Sequence, residues 1–257
     1  MKTEILYGFH PVYEALSAGR RRVYEIYLVK GKKTGRFEQI RSLAQSRGVP
    51  LKTMAADDFK ALAGPVVHQA VAARVSPYPL TALTDILPAS AGRSERFFLL
   101  MLDNIVDPQN LGALIRTALC AGIDGVILPK DNCASPTPAV SRASAGALEH
   151  IRLSRVTNLV QTIKFCKDRG LWVIGLLKDA EQSIYAGDLT GSIAMVLGGE
   201  QKGIRPLVRK NCDFVFSIPQ QGPVDSLNAS AAGAVGMYEA WRQRHKNSEV
   251  GMQKGER

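Results

Sequence analysis

Cysteine is scarce: four residues, at 120, 133, 166 and 212, with no C-x-x-C pair among them. None of the four histidines stands at a zinc-ligand spacing from them. Neither a disulfide framework nor a metal site is therefore expected, and the thiols read as buried, intracellular ones. Long apolar runs are lacking as well. The longest, from Phe97 to Leu102, is far below the ~20 residues that cross a bilayer. Met1-Lys2-Thr3-Glu4 has no apolar stretch of the signal-peptide kind, so a cytoplasmic protein with no membrane partner is the expectation. Glycine and proline, at 23 and 13 of 257 residues, are too few for a fibrous or low-complexity chain. No G-x-G-x-x-G follows an apolar run, and neither G-x-x-x-x-G-K-S/T nor G-x-S-x-G occurs. Dinucleotide-binding, P-loop and α/β-hydrolase fingerprints are thereby missing.

Positive charge is plentiful. Lysine plus arginine is 33 against 23 acidic residues, a net charge of +10. Residues 1–80 hold 13 basic and 6 acidic side chains, net +7, whereas 81–257 hold 20 and 17, net +3. Arg20-Arg21-Arg22 and the segment 30–36 concentrate the excess. A basic module beside a nearly balanced one points to a polyanion-binding part joined to something else.

The pattern of apolar residues supports an α/β fold. In the first part, 10–18 reads as a helix with Pro11 in its first turn and Gly19 as its stop. A strand at 25–30 follows, then an amphipathic helix at 37–47, a strand at 51–54, a helix at 57–63 and a strand at 69–75. The proline-bearing stretch 77–95 reads as a linker. The second part opens on the continuous apolar strand 97–102, of the kind buried on both faces. Asp107-Pro108 marks a helix start, and Leu111, Leu114, Ile115, Ala118 and Leu119 form its apolar stripe. Strands at 125–128, 171–177, 193–197 and 214–218 alternate with helices at 138–148, 159–169 and 206–210, before a long helix at 227–245. Such alternation predicts a parallel sheet with helices on both faces and ligands at its carboxyl edge. The expected division is 1–76, a linker 77–95, a second domain 96–246 and a polar tail 247–257.

Polar groups gather directly after three of these strands. The first loop, 103–116, places Asn110 in the first turn of a helix and Arg116 beside its apolar stripe, with Gly112 leaving clearance near the guanidinium. The second, Leu197-Gly198-Gly199-Glu200-Gln201-Lys202-Gly203, combines backbone freedom with an acid at a strand exit. The third runs from Ile218 to Ser230 and offers Ser226, Asn228 and Ser230 as neutral donors and acceptors, suited to a nucleoside or to capping the last helix.

Taken jointly, N-x5-R, G-x-E-x-x-G and S-L-N-x-S resemble the three signature motifs of the SpoU (TrmH) family of RNA ribose methyltransferases, in the SPOUT superfamily. The first 76 residues resemble that family's L30e-like substrate-binding domain, through Leu6-Tyr7-Gly8 and the segment 68–73. The resemblance implies S-adenosylmethionine as cofactor, a SPOUT domain closed by a C-terminal trefoil knot, and a homodimer with a site completed across its interface. It implies RNA as partner, not DNA, with 2′-O-methylation of a guanosine ribose in large-subunit ribosomal RNA. Position by position, Asn110, Arg116, Glu200, Ser226 and Asn228 fall on the catalytic motif. Leu197, Gly198, Gly199, Ile218, Leu227 and Asn228 fall on the cofactor-binding positions. The family's proposal makes Arg116 a general base, whereas a guanidinium is ordinarily a permanent cation that stabilises negative charge. A transfer-RNA 2′-O-methyltransferase and a non-catalytic RNA-binding factor remain open alternatives from sequence.

Overall fold

The computed structural model describes residues 2–31, 35–64, 69–88, 96–200, 202–221, 223 and 226–252, with side chains described as far as residue 245. Parts of the expected basic run (32–34), domain motif (68), linker (89–95), signature loops (201, 222, 224–225) and tail (253–257) lie outside the described residues. Two compact units form, and neither is one stretch of chain. One comprises Met1–Pro79, Leu111–Arg116 and Ser135–Ile151; the other comprises Leu80–Asn110, Thr117–Ala134 and Arg152–Arg257.

In the first unit, β1 (Glu4–Tyr7), β2 (Val23–Val29), β3 (Leu51–Met54) and β4 (Val71–Val75) lie in the order β1-β4-β2-β3. Only the β2–β3 pair is parallel. Strand β1 escapes a periodicity reading because four residues give too little alternation. Helix α1 (Phe9–Ala18) ends at Gly19, whose φ of +62° closes it. Helix α2 (Gly35–Ser46) buries Phe37, Ile40 and Ala44 on one face, and α3 (Ala56–Ala63) buries Phe59. These side chains share a core with Leu6, Val12, Leu16, Ile26 and Leu28.

Segments from later in the chain complete this unit. Helix α5 (Pro108–Cys120) contributes its middle turn, and α6 (Pro138–Ala143) leads into a 3-10 turn at Ala147–Glu149. The helix expected to reach residue 148 stops at Ala143, because Ala145 and Gly146 take left-handed φ values of +50° and +84°. A Cβ on Gly112 would stand 2.4 Å from the Cβ of Ala143, so α5 and α6 meet almost backbone to backbone. The clearance expected at Gly112 is taken up by the chain itself. Along α5, Leu111, Leu114, Ile115 and Ala118 are fully buried, as their spacing predicts, while Leu119 is 37% exposed. Each buried leucine or isoleucine contributes roughly 1.5–3 kcal/mol.

The arginine run at 20–22 is mostly structural. Arg21 has a fully buried side chain, with Nη1 3.3 Å from Glu4 Oε2 and Nε 3.2 Å from the buried Glu149 Oε2. Ser141 Oγ donates to Glu149 Oε1 at 2.7 Å. Arg20 donates to Tyr78 Oη at 3.1 Å and to the carbonyl of Ile151, and Tyr78 Oη donates to the same carbonyl at 2.5 Å. Burial pushes the Tyr78 hydroxyl up to about 12. Of the three arginines, Arg22 alone is exposed. The expected RNA-binding patch therefore shrinks, because a local charge run says nothing of distant carboxylates that fold onto it.

The second unit is built on six parallel strands: β5 (Phe98–Asp103), β6 (Gly125–Pro129), β7 (Leu153–Val156), β8 (Trp172–Leu176), β9 (Ile193–Gly198) and β10 (Phe214–Phe216). Their order is β10-β8-β9-β5-β6-β7. The chain runs outward through β5, β6 and β7, then resumes on the other side, so the order reverses at β5 and β9. The expected linker contains α4 (Leu83–Ile86), whose Ile86 joins Leu87 in the core with Leu99, Ile163 and Val173. Helix α7 (Leu159–Lys167) packs into the same core, and α8 (Pro206–Asn211) adds Val208. Helix α9 (Ala229–Met252) takes in part of the expected tail. Arg244 anchors it, donating to Leu189 O at 3.1 Å and Phe97 O at 3.1 Å while stacking 4.6 Å from the Phe98 ring.

Burial pushes the Glu149 carboxyl above the usual carboxylate range, against the opposing pull of Arg21. A raised folded-state pKa means stability that is present at low pH and lost as pH rises through that value. Arg21→Met, which leaves this carboxylate buried without its cation, is expected to lose about 3–5 kcal/mol at pH 8. The loss is smaller at pH 5, because burial without the cation raises the Glu149 carboxyl further and favours its neutral form as pH falls. Urea unfolding at the two pH values checks this, and equal losses at both contradict it.

Candidate active site

Strands β5 and β9 are neighbours whose last residues, Asp103 and Gly198, lie in register, so the loops leaving them emerge side by side. Asp103 is fully buried. Its Oδ2 accepts the Arg205 backbone N–H at 2.9 Å, and its Oδ1 lies 2.8 Å from Arg205 Nε. Gly199 N donates to Asp103 O at 2.9 Å, and Gly203 N donates to Gly199 O at 2.8 Å. The second signature loop is thus folded back and fastened to the end of β5. Side chains are excluded at its start. A Cβ on Gly199 would fall 2.1 Å from Asn104 O, and one on Gly198 would fall 2.1 Å from the carbonyl carbon of Gly203. Glycine in both places is a packing requirement.

This folded loop sets Glu200 facing the start of α5. Asp107 caps that helix, accepting from Gln109 N at 3.1 Å and Asn110 N at 3.3 Å, as the Asp-Pro pair predicts. Asn110 Nδ2 donates to Glu200 Oε1 at 3.3 Å. Asn228 Nδ2 donates to Asn110 Oδ1 at 3.1 Å and also to Glu200 Oε1. Asn228 Oδ1 accepts from Ser230 N at 2.8 Å at the start of α9. One residue from each signature loop therefore enters a single hydrogen-bonded cluster, though the three lie up to 118 residues apart. A carboxylate held by two amide N–H groups keeps its charge fixed in direction.

Beside the cluster lies a cleft of about 480 Å³ over the carboxyl ends of β8 and β9, within the ~300–1,000 Å³ range of small-molecule sites. Leu197, Gly198, Gly199, Ile218 and Leu227, the expected cofactor-binding positions, all line it, together with Glu200 and Ser226. Asn228 is not part of this wall; its bonds run to Asn110, Glu200 and Ser230. Leu176 and Ile204 extend the apolar surface. Lys178, Asp179, Arg209 and Gln220 form further polar lining that sequence reasoning missed. Asp179 Oδ2 pairs with Arg209 Nη1 at 2.9 Å, and that hydrogen bond holds the Asp179 carboxyl below its usual range. The available signal was positional: Lys178-Asp179 directly follows an apolar strand, as the signature loops do. Asp103 gave the same signal. Bare glycine backbone, aliphatic walls and charges of both signs suit a nucleoside carrying an amino acid.

Arg116 is exposed and lies six residues, about 9 Å, further along α5 than Asn110. The cluster's hydrogen bonds join Asn110, Glu200 and Asn228 without it.

Comparison with known proteins follows the same outline. Residues 98–238 match the profile of the SpoU rRNA methylase family, and residues 5–81 match that of the RNA 2′-O ribose methyltransferase substrate-binding domain. The chain is 41% identical over 241 residues to the 23S rRNA (guanosine-2′-O-)-methyltransferase RlmB of Pseudomonas putida, covering 94% of this chain and 97% of that one. It is 40% identical to the protein of the same name from Vibrio vulnificus, covering 95% and 98%. Among solved structures, the SpoU methyltransferase AviRb from Streptomyces viridochromogenes, in complex with the cofactor AdoMet, superposes with a TM-score of 0.77. That match has 26% identity and covers 93% of this chain and 89% of AviRb. With both profiles matched, the chain belongs to the SpoU rRNA methylase family.

Proposed function

We propose that this chain is an S-adenosylmethionine-dependent methyltransferase that modifies the 2′-hydroxyl of a guanosine in 23S ribosomal RNA. The observation that carries the reading is the joining of Asn110, Glu200 and Asn228 at the rim of the cleft. The two RlmB relatives bear this activity in their names, and AviRb was solved with AdoMet bound. The cleft's lining fits that cofactor. Leu176, Leu197, Ile218 and Leu227 would hold the adenosine part, and the charged rim would hold the amino-acid part. When bound, S-adenosylmethionine supplies a methyl group on a sulfonium.

The chain's own residues then have separable tasks. Glu200, Asn110 and Asn228 orient the acceptor ribose, and Ser226 orders the loop over the cleft. Arg116 supplies fixed positive charge that stabilises the negative charge growing on the 2′-oxygen. Holding the reactants in a near-attack arrangement provides much of the acceleration. The basic first part, 1–76, provides RNA affinity and site choice, through phosphate contacts weakened by salt. The trefoil knot, the homodimer and the cytoplasmic setting belong to the same proposal. Tyr238, at 46% exposure, and Trp241, at 37%, form an aromatic face on α9 that suits a second copy of the chain. Among the described residues, no helix is long and apolar enough to cross a membrane.

Arg116→Ala is expected to lower kcat about 100-fold or more while S-adenosylmethionine affinity stays within about twofold, near the noise of a binding free energy. Methyl transfer to ribosomal RNA, with calorimetry for the cofactor, measures both; near-normal turnover contradicts the assignment. Asp103→Ala, which unfastens the loop carrying Glu200, is expected to weaken cofactor binding about tenfold, or roughly 1.4 kcal/mol. Unchanged affinity in the same calorimetric titration would show that the loop holds its shape without Asp103.

A further inference from the structure

A second cleft, of about 300 Å³, opens on the other side of Glu200. It lies over the carboxyl ends of β5 and β6, whereas the larger cleft lies over β8 and β9. The two share Gly199, Glu200, Lys202 and Ala229 as a common wall. The loops after β5 and β6 are tied by the hydrogen bond from Ala134 N to Ile105 O at 2.8 Å. A group seated in the smaller cleft therefore faces a group in the larger one across the clustered carboxylate.

Its lining is suited to an unstacked base. Val106, on the β5 loop, is 66% exposed, an apolar surface offered to a flat ring. Most other polar groups of the lining are committed. Asp107 caps α5, Glu200 and Asn110 belong to the cluster, and Asn104 Nδ2 donates to Gly203 O at 3.4 Å. Asn132 is exposed on the β6 loop with a φ of +56°, and its side chain makes no hydrogen bond among the described residues. A carboxamide presents a donor and an acceptor together, which matches the adjacent O6 acceptor and N1–H donor on the guanine Watson–Crick edge. Adenine presents the opposite order and lacks the N2 donor, so the same carboxamide must turn over to meet it. RNA bases read in this way are those splayed out of a helix or loop.

We infer that this smaller cleft receives the extruded acceptor nucleoside and that Asn132 is a specificity-determining residue reading its guanine edge. The inference rests on the proposed methyltransferase reading, and it adds a base pocket and a reader residue.

The test uses the full chain, radiolabelled S-adenosylmethionine, and two ribosomal RNA transcripts carrying guanosine or adenosine at the mapped acceptor position. Asn132→Gly removes the amide without straining a left-handed backbone; Asn132→Ala is the second variant should that one fail to fold. Wild type is expected to prefer guanosine at least tenfold in kcat/KM. The variant is expected to lose about tenfold on guanosine, to prefer it less than threefold, and to bind S-adenosylmethionine unchanged. A loss shared equally by both transcripts, or a preference left intact, overturns the role of Asn132. Wild-type protein that methylates neither transcript overturns the methyltransferase reading instead, and this pocket's occupant falls with it.

Discussion

A buried carboxylate at the point where strand order reverses holds the functional end of the sheet together. Asp103 has no exposed surface, and both its oxygens engage Arg205. Because a buried charge without partners is strongly destabilising, the pairing commits the segment between Gly198 and Arg205 to one path. That path brings Gly199 against the Asn104 carbonyl and leaves no room for a side chain at either glycine. Glu200 is thereby delivered to the amides of Asn110 and Asn228. The cluster is exposed to solvent and each of its bonds is modest alone. Its geometry comes from the buried clamp beneath it.

The same reversal of strand order divides the carboxyl edge. Loops from β8 and β9 enclose one cleft, loops from β5 and β6 enclose the other, and the β9 loop serves both. Ligands of open parallel sheets gather at such switch points because adjacent loops must diverge there. A transfer reaction between two bound molecules needs two seats with a shared wall. In the proposed function, the wall carries the oriented carboxylate and the seats take cofactor and acceptor.

Much of this was readable in advance where chemistry is local. Asp107-Pro108 capped its helix as expected, and the continuous apolar run at 97–102 became the buried strand beside the site. The three loops could be matched because their polar residues keep fixed offsets from strand ends and helix starts. What stayed illegible depends on contacts across long separations. Arg20-Arg21-Arg22 looks like a nucleic-acid patch until Glu149 and Ile151 fold against two of its members. Gly112 signals clearance but not its occupant, which is Ala143, more than 30 residues away in the sequence. The proline-bearing stretch at 77–95 looks like a linker, yet Ile86 and Leu87 are core residues of the second unit. The division into compact units follows the same logic, since segments 111–116 and 135–151 join the amino-terminal part through packing that no local pattern encodes.

Ribose methylation, mapped by mass spectrometry in 23S ribosomal RNA from cells with and without this protein, tests the central claim most directly. The proposed activity predicts that one guanosine loses its 2′-O-methyl group when the protein is absent and regains it when the chain is restored. An identical methylation pattern in both cell populations would contradict it.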